Sequence, residues 1–396
     1  MADMPVIDAR GPLGALGAEL TQGEIRQYSR QVILEELGVK GQRALKGARV
    51  LVVGTGGLGA PVLLYLAAAG VGTLGIVEFD VVDQSNLHRQ VLFGTDDIGK
   101  PKLDVARERI LKLNPYIHVE AHAGRLTVDN ALDIISAYDL VVDTTDNFPA
   151  RYLINDSCVL LGKPNVSASI FRFEGQLSVF WPGRGPCYRC VYPEPPPPEL
   201  APSCAEGGVL GILPGILGTL QANEAIKLLL GKGDVLVGRL LSIDALASRF
   251  DTFTIAQDPE CRICSSQAKS RGLLAYDMLC SAHPAIVETV SVPEITVHEL
   301  DKLQVAAKGI LLVDVRNPGE YELTRIPGAM LIPLSELNMR LDELPKDRQI
   351  VCYCHTGKRS ARAVALLQDH GHTTVTSLAG GIEAWSAAID RSIPQY

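Results

Sequence analysis

The sequence predicts an α/β protein: a doubly wound, mostly parallel sheet with an antiparallel extension, followed by a second, small α/β domain. Three observations carry this. Apolar strands alternate with helical spacings from Ala48 to Asp143, the rhythm of a parallel sheet covered by helices on both faces. A glycine-rich turn, Gly54-Thr55-Gly56-Gly57-Leu58-Gly59, follows the first of these strands, where a phosphate would meet a helix N-terminus. The alternation restarts after Ile295 and fills about 100 residues, enough for one more domain.

Residues 1–20 read as a loose leader. Gln22 to Leu37 has helical spacing in Ile25, Tyr28, Val32 and Ile33 and is expected to stop at Gly38. Ala48–Val53 reads as a buried strand, Ala60–Ala69 as a helix and Thr73–Phe79 as a second strand, one unit built around the glycine turn. Helix Lys102–Leu113, strand Val119–Ala123, helix Val128–Ala137 and strand Leu140–Asp143 continue the pattern. Between Ser167 and Trp181 the spacing of Phe171, Phe173, Leu177 and Val179 changes to a period of two, predicting antiparallel strands. Pro193–Pro202 is proline-rich and reads as an exposed loop inside the first domain, because a cysteine pair still lies ahead of it. These elements place the first domain at 21–265, a linker at 266–293 and the second domain at 294–396. The linker opens on small polar residues, with room for a short helix around Leu273 to Leu279. The second domain is expected to hold strands Ile310–Val315, Ile350–Cys354 and Thr374–Leu378, with helices Gly357–His370 and Gly381–Ala388.

Hydrophobic residues make up 47% of the 396 and charged residues 21%, ample for a buried core. A net charge of −8 argues against generic nucleic-acid binding, which needs a basic stripe. The N-terminal residues show neither a basic start nor an apolar run, so no signal peptide is expected. Apolar stretches such as Val209–Leu220 are broken by Gly211, Pro214, Gly215 and Gly218, and no membrane span is expected. Nine cysteines suit metal and catalytic thiols in a reducing cytoplasm better than a disulfide frame.

Four of those cysteines form two Cys-x-x-Cys pairs, Cys187/Cys190 and Cys261/Cys264. Four thiolates on two short loops can close one tetrahedral zinc site and staple a late segment back onto its domain. The glycine turn is followed by residues a simple dinucleotide site does not require. Glu78, at the end of the second strand, is positioned to accept from ribose hydroxyls. Arg89 and Lys102 can neutralise phosphate charge in a transition state, and Asp146 can hold magnesium. That set suits nucleotidyl transfer. Asp80 and Asp83 are equally readable as solvated loop residues, and Asp143 as a strand-end cap.

The glycine turn, the run Ser85-Asn86-Leu87-His88-Arg89-Gln90, the Lys102 region and Thr145-Asp146-Asn147 together resemble the MoeB/ThiF family, relatives of the ubiquitin-activating enzymes. The resemblance covers roughly residues 20 to 265 and includes both cysteine pairs. It implies a Rossmann-like sheet of the ubiquitin-activating-enzyme type. The implied protein is a zinc-containing homodimer that uses ATP and magnesium to adenylate the C-terminal glycine of a ubiquitin-like sulfur carrier. It further implies that Gly57, Glu78, Ser85, Asn86, Arg89, Lys102, Asp146 and Asn147 bind ATP, with Gly54, Gly56, Gly59, Leu87 and His88 in the same motifs. Arg30 matches an arginine that reaches the partner subunit's phosphates, and Glu78 stands where the family usually has aspartate.

Cys204 lies in a Pro/Gly-flanked loop able to present a thiol to a partner's tail. The resemblance implies that such a cysteine attacks the acyl adenylate; the alternative is an incidental loop thiol. Cys158 and Cys280 read as structural or incidental. Cys354 ends an apolar strand and opens Cys354-His355-Thr356-Gly357-Lys358-Arg359-Ser360, which runs into a helix. Backbone N–H groups and the helix N-terminus would then face the sulfur and favour its anion, with positive charge from Lys358 and Arg359 nearby. With Asp314 to Tyr321, Ile326 to Ala329 and Leu378 to Trp385, this loop makes residues 294 to 390 resemble a rhodanese. Related phosphatases have one more residue between cysteine and arginine, so the shorter loop implies a single transferred sulfur, carried by Cys354 as a persulfide. Asp314 and Arg316 are expected to brace the loop, and Cys352 to be a packed strand residue with a lesser prospect of resolving the persulfide.

The domain order resembles that of the MoeZ-like enzymes and the eukaryotic molybdopterin-synthase sulfurylases. The expected activity is adenylation of a carrier ending in Gly-Gly, followed by sulfur transfer to give a thiocarboxylate. The sulfur donor would be thiosulfate or a cysteine desulfurase persulfide. Molybdopterin, thiamine, cysteine and tRNA-thiolation pathways all use this chemistry. Two alternatives stand beside it: a carrier-activating enzyme whose rhodanese module only docks partners, and an NAD-dependent oxidoreductase with a zinc clamp.

Overall fold

β1 (Arg49–Val53) is a short run of apolar, mostly β-branched residues, suited to burial on both faces of a sheet, and it sits near the centre of one. The structure is a computed structural model that describes residues 13–196, 208–266, 268, 272–274, 276, 292–305 and 309–395. Cys204, Cys280, the leader up to residue 12 and most of the 266–293 linker lie outside the described residues. The chain divides into two units, Met1–His283 and Pro284–Tyr396.

In the first unit, β1 is joined by β2 (Thr73–Glu78), β3 (His118–Ala123), β4 (Leu140–Asp143), β5 (Asn165–Phe171), β6 (Glu174–Phe180), β7 (Arg239–Asp244) and β8 (Arg249–Thr254). The spatial order is β3-β2-β1-β4-β5-β6-β7-β8. Strands β1 to β5 are parallel, and β6, β7 and β8 add on antiparallel. The helices are α1 (Gln22–Val32), α2 (Gly38–Gly47), α3 (Gly59–Ala69), α4 (Lys102–Leu113), α5 (Ala131–Ser136), α6 (Phe148–Leu161), α7 (Tyr188–Val191) and α8 (Leu213–Leu230). Successive residues of β1 face opposite cores. Val50 and Val52 pack with α3, α4 and α8, while Leu51 and Val53 pack with α5 and α6. That is the doubly wound arrangement expected from the alternation.

The second unit is a five-stranded parallel sheet, ordered β11-β10-β12-β13-β9. Its elements are β9 (Glu294–Ile295), α9 (Val297–Val305), β10 (Leu311–Asp314), α10 (Pro318–Leu323), β11 (Met330–Leu331), α11 (Leu334–Leu337), β12 (Ile350–Tyr353), α12 (Lys358–Asp369), β13 (Val375–Leu378) and α13 (Gly381–Ala388). Cys352 and Cys354 face one core with Ala363, Val364 and Leu367 of α12; Val351 and Tyr353 face the other with Ile382 and Trp385 of α13.

Four departures from expectation have physical reasons. The helix predicted over Gln22–Leu37 ends at Val32, and Gly38, expected to be a stop, opens α2 with φ +59°. Phe171 and Phe173 are exposed beside the β5–β6 turn, where Arg172 takes φ +54°; only Leu177 and Val179 enter the core. The glycine- and proline-broken stretch from Val209 becomes the eighteen-residue α8: Pro214 sits in its first turn, and a Cβ at Gly218 would strike the carbonyl oxygen of Leu58. The small residues that obscured this helix in the sequence are what let it lie close to α3. Finally Tyr276, assigned by sequence to the linker, is buried in the first unit. Among the described residues no helix is long and apolar enough to cross a membrane.

Candidate active sites and metal centre

The sheet order reverses direction between β1 and β4, the position at which open α/β sheets bind ligands beyond the C-terminal strand ends. A cavity of about 830 Å³ opens there, lined from the ends of β1, β2, β4 and β5. The glycine turn forms its floor. Gly54 takes φ +99°, a left-handed conformation that glycine adopts without strain, and a Cβ on Gly59 would collide with the Gly54 carbonyl as α3 begins.

Gly54, Gly56, Gly57, Glu78, Asn86, Arg89, Lys102, Asp146 and Asn147 all line this cavity. Lys102 is buried, and its Nζ lies 2.7 Å from Asp80 Oδ2 and 3.2 Å from Asn86 Oδ1. Asp80 is therefore an ion-pair partner of Lys102 and not merely a solvated loop residue. Glu78 folds back on the turn. Its Oε2 accepts from Thr55 N at 2.9 Å and Thr55 Oγ1 at 2.7 Å, and its Oε1 from Phe79 N at 2.8 Å and Asp80 N at 3.0 Å. A ribose hydroxyl would share these oxygens with backbone donors. Asp146 is exposed at the end of β4, and Asn147 caps α6 by accepting from Ala150 N at 3.0 Å. Asp143 accepts from Thr145 and Ser167, the strand-end role foreseen for it.

Four motif residues do not line the cavity. Gly59 closes the turn, Leu87 packs against the core, and Ser85 donates to Asp83 Oδ1 through both its N–H and its hydroxyl. His88 lies with Nε2 2.7 Å from Arg89 Nη1; burial and that guanidinium hold its imidazole below its ordinary range. Arg30 is exposed in the last turn of α1, away from the cavity lining.

Other lining residues gave no comparable sequence signal. Arg151, buried in α6, donates to Thr145 O at 2.5 Å and Ala168 O at 2.8 Å, fixing the chain after β4 against β5. The Arg125 guanidinium lies 4.0 Å from the Phe79 ring centre beside Glu78. Tyr188, Tyr192 and Tyr276 line the same cavity, and Tyr188 and Tyr276 belong to one core cluster. Gln90, the last residue of the Ser85–Gln90 run, is buried and its amide points toward Asn86.

The four paired cysteines converge, all sulfurs lying within 4.8 Å of one another. Cys187 and Cys190 are 3.8 Å apart, Cys187 and Cys261 3.7 Å, and Cys190 and Cys264 3.4 Å. Zinc–thiolate bonds of about 2.3 Å at tetrahedral angles require sulfur separations of about 3.8 Å, so the donor set fits a zinc ion. Between the first pair, Arg189 makes a fully buried ion pair with Asp156 of α6, and Tyr276 donates to the same carboxylate at 2.7 Å. The cysteine loops are thus tied to a helix whose first turn faces the cavity.

In the second unit Cys354 follows β12 directly, and its thiol is buried at the base of the loop leading into α12. Gly357 N donates to Sγ at 3.2 Å, and Ser360 Oγ lies 3.6 Å from it. Gly357 takes φ +99°, turning the loop back over the sulfur. Arg359 does not add an unbalanced charge: its guanidinium grips Glu320 with two bonds of 2.7 Å. Burial pushes the Glu320 carboxyl up, but Arg359 and the Asn317 N–H outweigh this and hold it below the usual carboxylate range. Lys358 is exposed at the start of α12. Arg316 and Asp314 are fully buried and paired, and Arg316 also donates to Thr324 O at 2.7 Å, a brace beneath the loop. Burial and the neighbouring Cys354 push the Cys352 thiol up to about 12, and burial likewise pushes Cys158 up, as packed structural thiols require.

Comparison with known proteins agrees with this geometry. A profile described as "ThiF family" matches residues 28–263, and one described as "Rhodanese-like domain" matches 296–388. The chain is 48% identical over 392 residues to a protein of Mycobacterium tuberculosis named "Probable adenylyltransferase/sulfurtransferase MoeZ", covering 97% of this chain and 98% of that one. It is 42% identical over 404 residues to the "Adenylyltransferase and sulfurtransferase MOCS3" of Drosophila sechellia, covering 98% and 89%. The crystal structure of E. coli MccB shares the fold, with a TM-score of 0.55 and 24% identity over 63% of this chain and 75% of that one. The chain belongs to the ThiF family and joins that domain to a rhodanese-like domain on one polypeptide.

Proposed function

We propose that this protein adenylates the C-terminal glycine of a ubiquitin-like sulfur-carrier protein and then delivers sulfur to it, leaving a thiocarboxylate. The observation that carries the reading is the convergence on one cavity of a glycine turn, Arg89, Lys102 with Asn86, and Asp146, in a chain that also holds Cys354 in a tight loop. ATP would lie along the strand ends, its ribose at Glu78 and its phosphates over the glycine turn. Asp146 would hold a magnesium ion, which supplies charge neutralisation at the phosphates. The carrier's terminal carboxylate attacks the α-phosphorus, and pyrophosphate leaves. The rate comes from alignment and from the cations Arg89 and Lys102, because that step needs no protein nucleophile.

The outer sulfur of a Cys354 persulfide then attacks the acyl carbon and displaces AMP, forming an acyl disulfide. A reducing thiol cleaves that S–S bond, releases the thiocarboxylate and takes the remaining sulfur into a disulfide. Cys204 would relay the acyl group or supply that thiol. The persulfide is loaded from thiosulfate or from a cysteine desulfurase. Zinc held by Cys187, Cys190, Cys261 and Cys264 is structural, because four protein thiolates leave no open position. The protein would act in the cytoplasm as a homodimer, with Arg30 reaching the partner subunit's phosphates, on domains bounded near residues 265 and 294. The names of the relatives, adenylyltransferase and sulfurtransferase together, support both halves. A nicotinamide-dependent oxidoreductase leaves Arg89, Lys102 and the second unit without a task. The test is carrier-dependent exchange of pyrophosphate into ATP: exchange with a Gly-Gly carrier is expected, and none with any such carrier would overturn the first half.

A further inference from the structure

Gln90 is buried against the glycine turn, where a Cβ on Gly56 would sit 3.7 Å from its Nε2. The orientation of its amide follows from its neighbours. An ammonium group only donates, so the Asn86 atom 3.2 Å from Lys102 Nζ is the amide oxygen. The Gln90 atom 2.8 Å from that same oxygen must then be its NH2 group. One Asn86 oxygen thus receives both Lys102 and Gln90, while Lys102 turns its other reach to Asp80. Gln90 lines the cavity, and the remaining end of its amide, Oε1, is buried and has no hydrogen-bond partner among the described residues.

A glutamine present only to fill space would carry an unmatched buried acceptor that leucine or methionine avoids. Its buried acceptor carries a desolvation cost, in contact with the network that aims the buried Lys102 ammonium. We infer that Gln90 is a positioning residue for nucleotidyl transfer: it fixes the rotamer of Asn86, and through Asn86 the position of Lys102 over the phosphates. The inference rests on the adenylation reading. Its consequence is kinetic. Lys102 retains its charge and its Asp80 partner without Gln90, so ground-state capture of ATP persists, while alignment in the transition state is lost.

The experiment measures carrier-dependent pyrophosphate exchange for the full chain and for Gln90→Met, Gln90→Leu, Asn86→Ala and the Asn86→Ala/Gln90→Met double variant, with thermal unfolding of each. Gln90→Met is expected to lower kcat by about tenfold or more, as loss of a residue orienting a reacting group does. KM for ATP should change by less than about threefold. In the Asn86→Ala background the Gln90→Met factor should shrink below about twofold, because its route of action is gone. A full Gln90→Met effect persisting without Asn86, a loss confined to KM, or unchanged kcat in both Gln90 variants at wild-type unfolding temperature would each overturn the inference. Absence of exchange in the unsubstituted chain is a separate outcome, which takes down the adenylation reading and this inference with it.

Discussion

Cys352 lies in β12 and Cys354 directly after it, two residues apart, yet their surroundings assign them different work. Cys354 accepts an N–H from Gly357 and adjoins the Ser360 hydroxyl, whereas the Cys352 thiol is pushed up to about 12 by burial and by Cys354 itself. Cys354→Ala is therefore expected to abolish sulfur release from thiosulfate while leaving pyrophosphate exchange intact, and Cys352→Ala to retain most sulfur release. Retained release in Cys354→Ala would mean that another thiol carries the sulfur. The Glu320–Arg359 pair brings a pH dependence. The folded-state pKa of Glu320 is depressed, so its stabilisation is present above the ordinary carboxylate range and is lost as pH falls through the folded value. In acid titrations followed by thermal unfolding, wild type should lose second-unit stability more steeply than Glu320→Gln. Equal slopes would show that the pair contributes nothing. These residue roles were partly legible in the sequence, since Cys354 announces itself by ending a strand and opening a glycine-turned loop. Arg359 was misread as added charge because its Glu320 partner is 39 residues away, and spacing carries no sign of it.

At the scale of elements, the four-cysteine cluster joins α7 and its N-cap Cys187 to the chain after β8, and the Arg189–Asp156–Tyr276 contact ties them to α6. Removing zinc by chelation, or replacing Cys261 by Ser, is expected to lower first-unit unfolding by about 5–10 °C, a few kcal/mol for a domain of this size. Sulfur release from thiosulfate should survive. Zinc content well below one ion per chain in the native protein, or an unchanged midpoint after chelation, would remove the clamp from the account. Elements with one strong local signal, such as α4, β4 and α13, were predicted with their observed bounds. The element hidden by its own composition was α8, where Pro214, Gly215 and Gly218 satisfy a helix start and a close helix contact that exist only in the fold. β7 and β8 escaped notice for a related reason. They are partly exposed additions toward the sheet edge that mix polar and apolar residues with no clean period of two.

For the whole molecule, the cavity was legible because its parts sit in short motifs directly after the C-terminal ends of β1, β2 and β4, which the sheet order β2-β1-β4 sets side by side. Tyr192 and Tyr276 join it from distant segments, and Arg151, four residues past Asn147, carries no motif signal, so these three were not legible. Carrying both chemistries on one chain gives the persulfide a high effective concentration toward the acyl adenylate, provided the linker spans the gap. The central claim is that ATP-primed acyl chemistry and sulfane chemistry act on the same carrier tail. Its most direct test is the intact mass of a Gly-Gly carrier after incubation with the full chain, ATP, thiosulfate and a reducing thiol. The account predicts replacement of one terminal oxygen by sulfur, dependent on ATP and on Cys354. An unchanged mass alongside active pyrophosphate exchange, or an undiminished shift with Cys354→Ala, would contradict it.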